Sequence, residues 1–333
     1  MSVPSRPSAT AGFGRSLPAR ITGVAFRLLF SNLAFVRPPL AAERVMGAAF
    51  ANSFIFRFPM SNDPGPPEAG KTPPAPRNTV ATLLIILCVA MMFVSARYFR
   101  PGFNYLSVMA CMVVMLGTLG VTIMGSPFGV LVTDQNVMSL SRFQMAGWTI
   151  VVIAAYFTFA ITRLVAGIPD PLNVGIDWHL WALLGISTTS LVGSSLILGM
   201  KKDKDPEDKA VNKAQTLTKD NRVEENRQGT LYVNPSASDA RFTDMFQGDE
   251  LGDTTHIDLA KVQMFLFSVI AIFAFAVMVT FKLRHLPTAD RGALESALQA
   301  LPLLSDGLVA VLGISHAGYL TNKTADHTQL KKP

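Results

Sequence analysis

The sequence has little charge. Asp, Glu, Lys and Arg make up 16% of its 333 residues while 50% are hydrophobic, against about a quarter charged in soluble domains. So much apolar surface calls for a solvent other than water, and a lipid bilayer is the simplest one. Cysteine is scarce as well. Cys88 and Cys111 both lie inside apolar runs, which excludes a disulfide framework or metal-ligand spacing and leaves two small buried hydrophobes. Acid is almost missing from residues 1–59, which hold seven Arg and one Glu, whereas the rest of the chain has 22 basic and 22 acidic residues. The formal charge of +6 therefore belongs to that first stretch, and no basic face on a folded domain is available to nucleic acid. No Ser-His-Asp pattern, His-Glu-x-x-His or phosphate loop occurs, and Gly248 to Asp253 does not supply an EF-hand. An enzyme is thus not expected, and no catalytic, cofactor or metal residue is assigned.

No long apolar run precedes residue 79. Residues 1–59 form a basic extension, either a targeting segment of transit-peptide composition or an over-extended reading frame. Residues 60–78, from Met60 through Pro73, Pro74 and Pro76, read as a Pro-rich disordered leader, which favours Met60 as the start. Beyond them the expected fold is an all-α membrane protein of about six transmembrane helices. A hairpin over 79–125 comprises spans Val80 to Ala96 and Tyr105 to Met124. Two spans over 139–200 run from Ser139 to Ala166 and from Asp177, an N-cap, to Met200; two more over 258–323 start at Asp258 and at the Ser305-Asp306 cap. Between the pairs lies a charged loop, 201–257, and a tail of 324–333 closes the chain. Basic residues of the leader, loop and tail place these segments and both termini on the cytoplasmic side, although Arg97, Arg100, Lys282, Arg284 and Arg291 then lie outside.

The two pairs look like copies of one unit. Ser139-Leu-Ser-Arg-Phe-Gln-Met145 matches Asp258-Leu-Ala-Lys-Val-Gln-Met264, and Ala182-Leu-Leu-Gly-Ile-Ser187 matches Ala310-Val-Leu-Gly-Ile-Ser315. Each copy enters and leaves on one side, so the expectation is a parallel two-helix repeat, and inverted-repeat transport architecture is not indicated. Gly185, Thr189 and Gly193 recur every four residues in the first copy, as do Gly313, Ala317 and Thr321 in the second, and such stripes let helices pack closely. Gln144 and Gln263 sit one turn inside their spans, where an amide can bond a neighbouring helix while Arg142 or Lys261 snorkels to the headgroups. Trp148, Trp178 and Trp181 fit an interfacial belt.

Gly248-Asp-Glu-Leu-Gly252, then Asp258-Leu-Ala-Lys-Val-Gln-Met264 and Val309-Ala-Val-Leu-Gly-Ile-Ser-His-Ala-Gly-Tyr-Leu320, resembles a group of bacterial polytopic membrane proteins carrying this pattern. The resemblance covers roughly residues 240–323, with a fainter echo over 139–195. It implies a bacterial inner membrane and Met60 as the start, and no activity.

Two features remain for function. The loop mixes charge throughout and sets Tyr232, Phe242, Met245 and Phe246 beside Asp244, Asp249, Glu250 and Asp253, so its second half suits a membrane surface or a docked partner. His316 lies mid-span, where lipid excludes an unpartnered imidazole; it either satisfies a neighbouring helix or relays protons. The leading expectation is a non-enzymatic assembly or scaffold component that self-associates or binds a membrane protein partner in the bilayer. A transporter or channel subunit, or less readily an intramembrane enzyme, is the alternative. A conductor needs a continuous polar lining, and the sequence shows only His316, Arg163 near an edge, and scattered Ser and Thr.

Overall fold

A computed structural model describes residues 77–219 and 221–331. The basic extension, most of the leader and the last two residues of the tail lie outside them. The described residues are all-helical with isolated bridges and no strand. In chain order the helices are α1 (Arg77–Tyr98), α2 (Phe103–Met124), α3 (Leu140–Val165), α4 (Trp178–Lys201), α5 (Asp208–Thr218), α6 (Val223–Asn226), α7 (Leu259–Arg284), α8 (Arg291–Ala297) and α9 (Asp306–Thr324).

Five helices, α1, α2, α3, α4 and α7, are long and apolar enough to cross a membrane, which makes the chain an integral membrane protein. The other helix expected to span, α9, forms from a Ser305 cap whose side chain accepts the Leu308 N–H. At 19 residues, with Asp306, His316, Asn322 and Lys323 among them, it is shorter and more polar than the rest. Asp177 and Asp258 cap α4 and α7 in the same way, accepting N–H groups of their first turns. Six expected starts therefore differ from the structure by only a few residues.

The helices α3, α4, α9 and α7 pack in that cyclic order as a four-helix ring, and the α1/α2 hairpin leans on α3. Gly102, at φ +86°, makes the hairpin's turn, where a Cβ would meet the Arg284 side chain. The contacts fix relative direction. His179 meets Asp306, Gly313 faces Ile186 and Gly193 faces Leu320, one contact every seven residues on both helices, so α4 and α9 run parallel in near-constant register. Gln144 bonds Ser268 and Gly147 faces Ile272, so α3 and α7 also run parallel.

On the side away from the loop, residues 298–304 fold back under the ring. Gly175 donates to Gln299 O and receives Leu301 N–H, and Lys282 bonds Ala300 O. Arg163, buried there, donates to the carbonyls of Leu298, Pro169 and Asp170. Trp148 is not a belt residue: it is 1% exposed and packs on Phe275 inside the ring, because it faces α7 across the parallel pair. Trp178 and Trp181 do face outward.

Candidate functional site

The loop from 201 to 257 is folded onto the ring. Leu231, Val233, Met245 and Leu251 are buried, and Met245 joins Leu140, Met264 and Tyr319 in one apolar cluster. Phe246 meets Phe265 of α7 edge to face. Met245 and Phe246 of the loop's second half thus pack on this chain's own helices, while Phe242 stays 53% exposed. Burial there comes from long-range docking that no local pattern announces.

Buried ion pairs fasten the loop down. Asp249 accepts from Lys261 Nζ of α7 at 3.0 Å and from Lys323 Nζ of α9 at 2.9 Å. Burial on its own would raise the Asp249 carboxyl; the Lys261 and Lys323 ammonium groups outweigh that and hold it well below the usual carboxylate range. Next to it Glu250 accepts from Lys201 Nζ at 2.5 Å and from the backbone N–H groups of His327 and Thr328, tying α4, loop and tail together. Lys261 does not snorkel to the headgroups as expected: its ammonium is buried against Asp249 and Gln247 O, because the folded loop covers the end of α7. Arg142 is half-buried and donates to Val132 O.

Beneath this layer the ring is polar inside. Tyr319 OH lies 3.4 Å from Ser141 Oγ, 3.2 Å from Ser194 Oγ and 2.9 Å from Lys323 Nζ, so α3, α4 and α9 meet at one phenol. One turn deeper Gln144 Nε2 donates to Ser268 Oγ at 2.5 Å and lies 3.4 Å from Met264 O. Among the described residues, five buried atoms inside the ring find no partner: Gln144 Oε1, Ser187 Oγ, Ser190 Oγ, Ser315 Oγ and His316 Nδ1. From Ser194 to Ser187 the buried face of α4 is polar over about 10 Å at 1.5 Å per residue, and Ile197 and Leu198 separate it from Lys201. Beyond it Trp148, Leu183, Phe275 and Leu312 close the ring with an apolar layer.

A cavity of about 110 Å³ opens at the loop end of this polar interior. Lys261, Lys323, Arg142 and Lys202 line it with Asp249 and Asp134, and an ion pair between Lys202 and Asp134 sits at its exposed rim.

The residues singled out by sequence separate into groups. Gln144 and His316 lie inside the ring; Gln263 is exposed, although the repeat would equate it with Gln144. Gly185, Thr189, Ala317 and Thr321 are exposed on the outer faces of α4 and α9, and a Cβ on Gly185 would meet nothing within 4 Å. Gly193 and Gly313 lie at the edge of the seam, near Leu320 and Ile186. Between α4 and α9 Ser194 meets Tyr319 beside the Gly193–Leu320 and Gly313–Ile186 contacts, and Ser187, Ser190 and Ser315 are buried in the ring. Asp249, Lys323, Tyr319 and the serine file were missed as a site. Their signal was present in the lysines at equivalent ends of two helices, but it pointed to topology rather than to burial. No acidic, histidine and cysteine cluster able to hold a metal occurs among the described residues.

Comparison with protein-family models, with curated proteins and with solved structures finds no match to this chain.

Proposed function

We propose that the chain is a membrane transport component in which α3, α4, α7 and α9 surround a polar path entered from beneath the folded loop. The carrying observation is the set of five unpartnered polar atoms inside the ring. Each costs about 1–3 kcal/mol if kept dry, so helices that only packed would do better with Ala or Leu there. Water or a polar solute satisfies them. Trp148, Leu183, Phe275 and Leu312 then act as the closed constriction of an occluded path.

On this reading α9 is a sixth span. Its polar side chains His316, Tyr319 and Lys323 are buried inward while Val311 and Ile314 point out, so the helix meets lipid with an apolar face. The equal 26-residue lengths of α3 and α7 and the parallel pairing of α4 with α9 support a duplicated parallel repeat. The loop and the 324–333 tail lie on the cytoplasmic side of a bacterial inner membrane, with the N-terminus beside them.

The test is efflux from proteoliposomes loaded with radiolabelled phosphate, sulfate, acetate or glucose. Wild type should release at least one solute several-fold faster than empty vesicles, and Ser190→Leu should abolish the difference. Efflux equal to empty vesicles for all four counts against transport.

A second reading, a non-enzymatic assembly component, is favoured by the outward placement of Gly185, Thr189, Ala317 and Thr321, which leaves small residues free for a second copy or another membrane protein. Gly185→Leu then dissociates the assembly in mild detergent without unfolding the protomer.

A further inference from the structure

We propose that the cavity at the loop end of the ring binds a phosphate group, carried by a free anion or by a lipid headgroup. The inference deepens the transport reading and rests on it for what the site serves.

Four cations line the cavity and two carboxylates accompany them, an excess of two positive charges. Two of those cations, Lys261 and Lys323, are buried, and both lean on the single carboxylate of Asp249. Buried ammonium groups need compensating negative charge and hydrogen bonds. Inside the cavity Asp249 supplies charge for one of the two; Asp244, which also interacts with Lys261, lies outside the lining with its carboxylate on the Arg241 and Met138 N–H groups.

The donor inventory agrees. An ammonium has three N–H donors. Lys261 uses two, on Asp249 Oδ1 and Gln247 O; Lys323 uses two, on Asp249 Oδ2 and Tyr319 OH. Each keeps one. The Arg142 guanidinium spends one of its five donors on Val132 O and lines the same cavity from α3. Donors thus converge from α3, α7 and α9, the arrangement that a tetrahedral oxyanion accepts and a planar or monatomic anion fills less completely. At about 110 Å³ the space exceeds what a halide needs. A cation is disfavoured by the same charge excess.

The site also explains why the loop must fold. Asp249 arrives from the loop and holds both ammonium groups side by side, which their mutual repulsion would otherwise oppose. Asp134 and Lys202 close the rim by pairing with each other, so the mouth can open without breaking the buried network.

The experiment is isothermal titration of the purified full chain in neutral detergent at fixed ionic strength, with inorganic phosphate, short-chain phosphatidic acid and chloride as probes. The expected result is saturable binding of phosphate or of phosphatidic acid and none of chloride. Binding of inorganic phosphate identifies a free anion as the ligand; binding of phosphatidic acid alone identifies a headgroup. Arg142→Gln, which gives up one carbonyl bond at a half-buried position, should weaken the bound probe at least tenfold while leaving the melting temperature in place. Asp134→Asn should preserve binding or tighten it. Absence of binding by both phosphate probes, or equal affinity in Arg142→Gln, overturns the proposal. Failure of efflux with phosphate still bound would remove the transport reading and leave this site standing.

Discussion

Asp249 links the loop to two helices through buried ion pairs. It enters from the loop and meets two ammonium groups that α7 and α9 bury at the same level. Removing one partner from a buried ion network costs about 3–5 kcal/mol, because the other charges stay buried. Asp249→Ala should therefore lower the melting temperature in detergent sharply, and limited proteolysis should cut first between residues 230 and 257. The pH dependence has a definite sign. The folded carboxyl is held below its unfolded value of about 3.9, so its contribution is complete above about pH 4 and is lost as pH falls through the lowered folded value. Protease resistance of the loop should stay flat from pH 8 to 5 as far as Asp249 is concerned, and Asp249→Asn should reproduce at pH 7 the sensitivity that wild type shows only in strong acid.

At the scale of the helix, α4 and α9 show what could be read and what could not. Their caps, Asp177 and Ser305, were legible because an Asp or Ser before an apolar run is a local signal. Which face turned inward was not. Small residues usually mark close approach in lipid, and Gly193 and Gly313 do approach Leu320 and Ile186, yet Gly185, Thr189, Ala317 and Thr321 face outward while serines at 187, 190 and 194 are buried. Neither face is charged, so hydropathy could not choose between them. Substitution discriminates directly. A Cβ on Gly147 would come within 2.8 Å of Ile272 Cδ1, so Gly147→Leu should cost about 1–3 kcal/mol by overpacking, whereas Gly185→Leu should leave protomer stability within about 0.5 kcal/mol, as free surface positions do. Thermal melting of the two variants in the same detergent decides it; equal loss in both would put Gly185 in a seam that this protomer does not show. Likewise Gln144 and Gln263 sit at matching places in similar segments, yet Gln144 is buried and Gln263 exposed. Internal similarity gives matching starts for α3 and α7, but the ring has only one inside.

For the molecule as a whole, five apolar helices establish membrane integration and the direction of α9 decides the rest. A spanning α9 puts Ser238 and Gln329, both exposed, on one side and Thr288, also exposed, on the other. In a background lacking Cys88 and Cys111, Ser238→Cys and Gln329→Cys should react together with an impermeant thiol label in inverted vesicles, and Thr288→Cys only in intact cells. The central claim is that the ring's polar half is wet and reached from beneath the loop. It is tested most directly by a small water-soluble methanethiosulfonate reagent applied from the loop side to Ser190→Cys and Ser315→Cys, with Leu183→Cys in the apolar layer as the comparison. The account predicts prompt modification of both serine positions and protection of position 183. Serine positions as inert as position 183, in protein that melts like wild type, would contradict it.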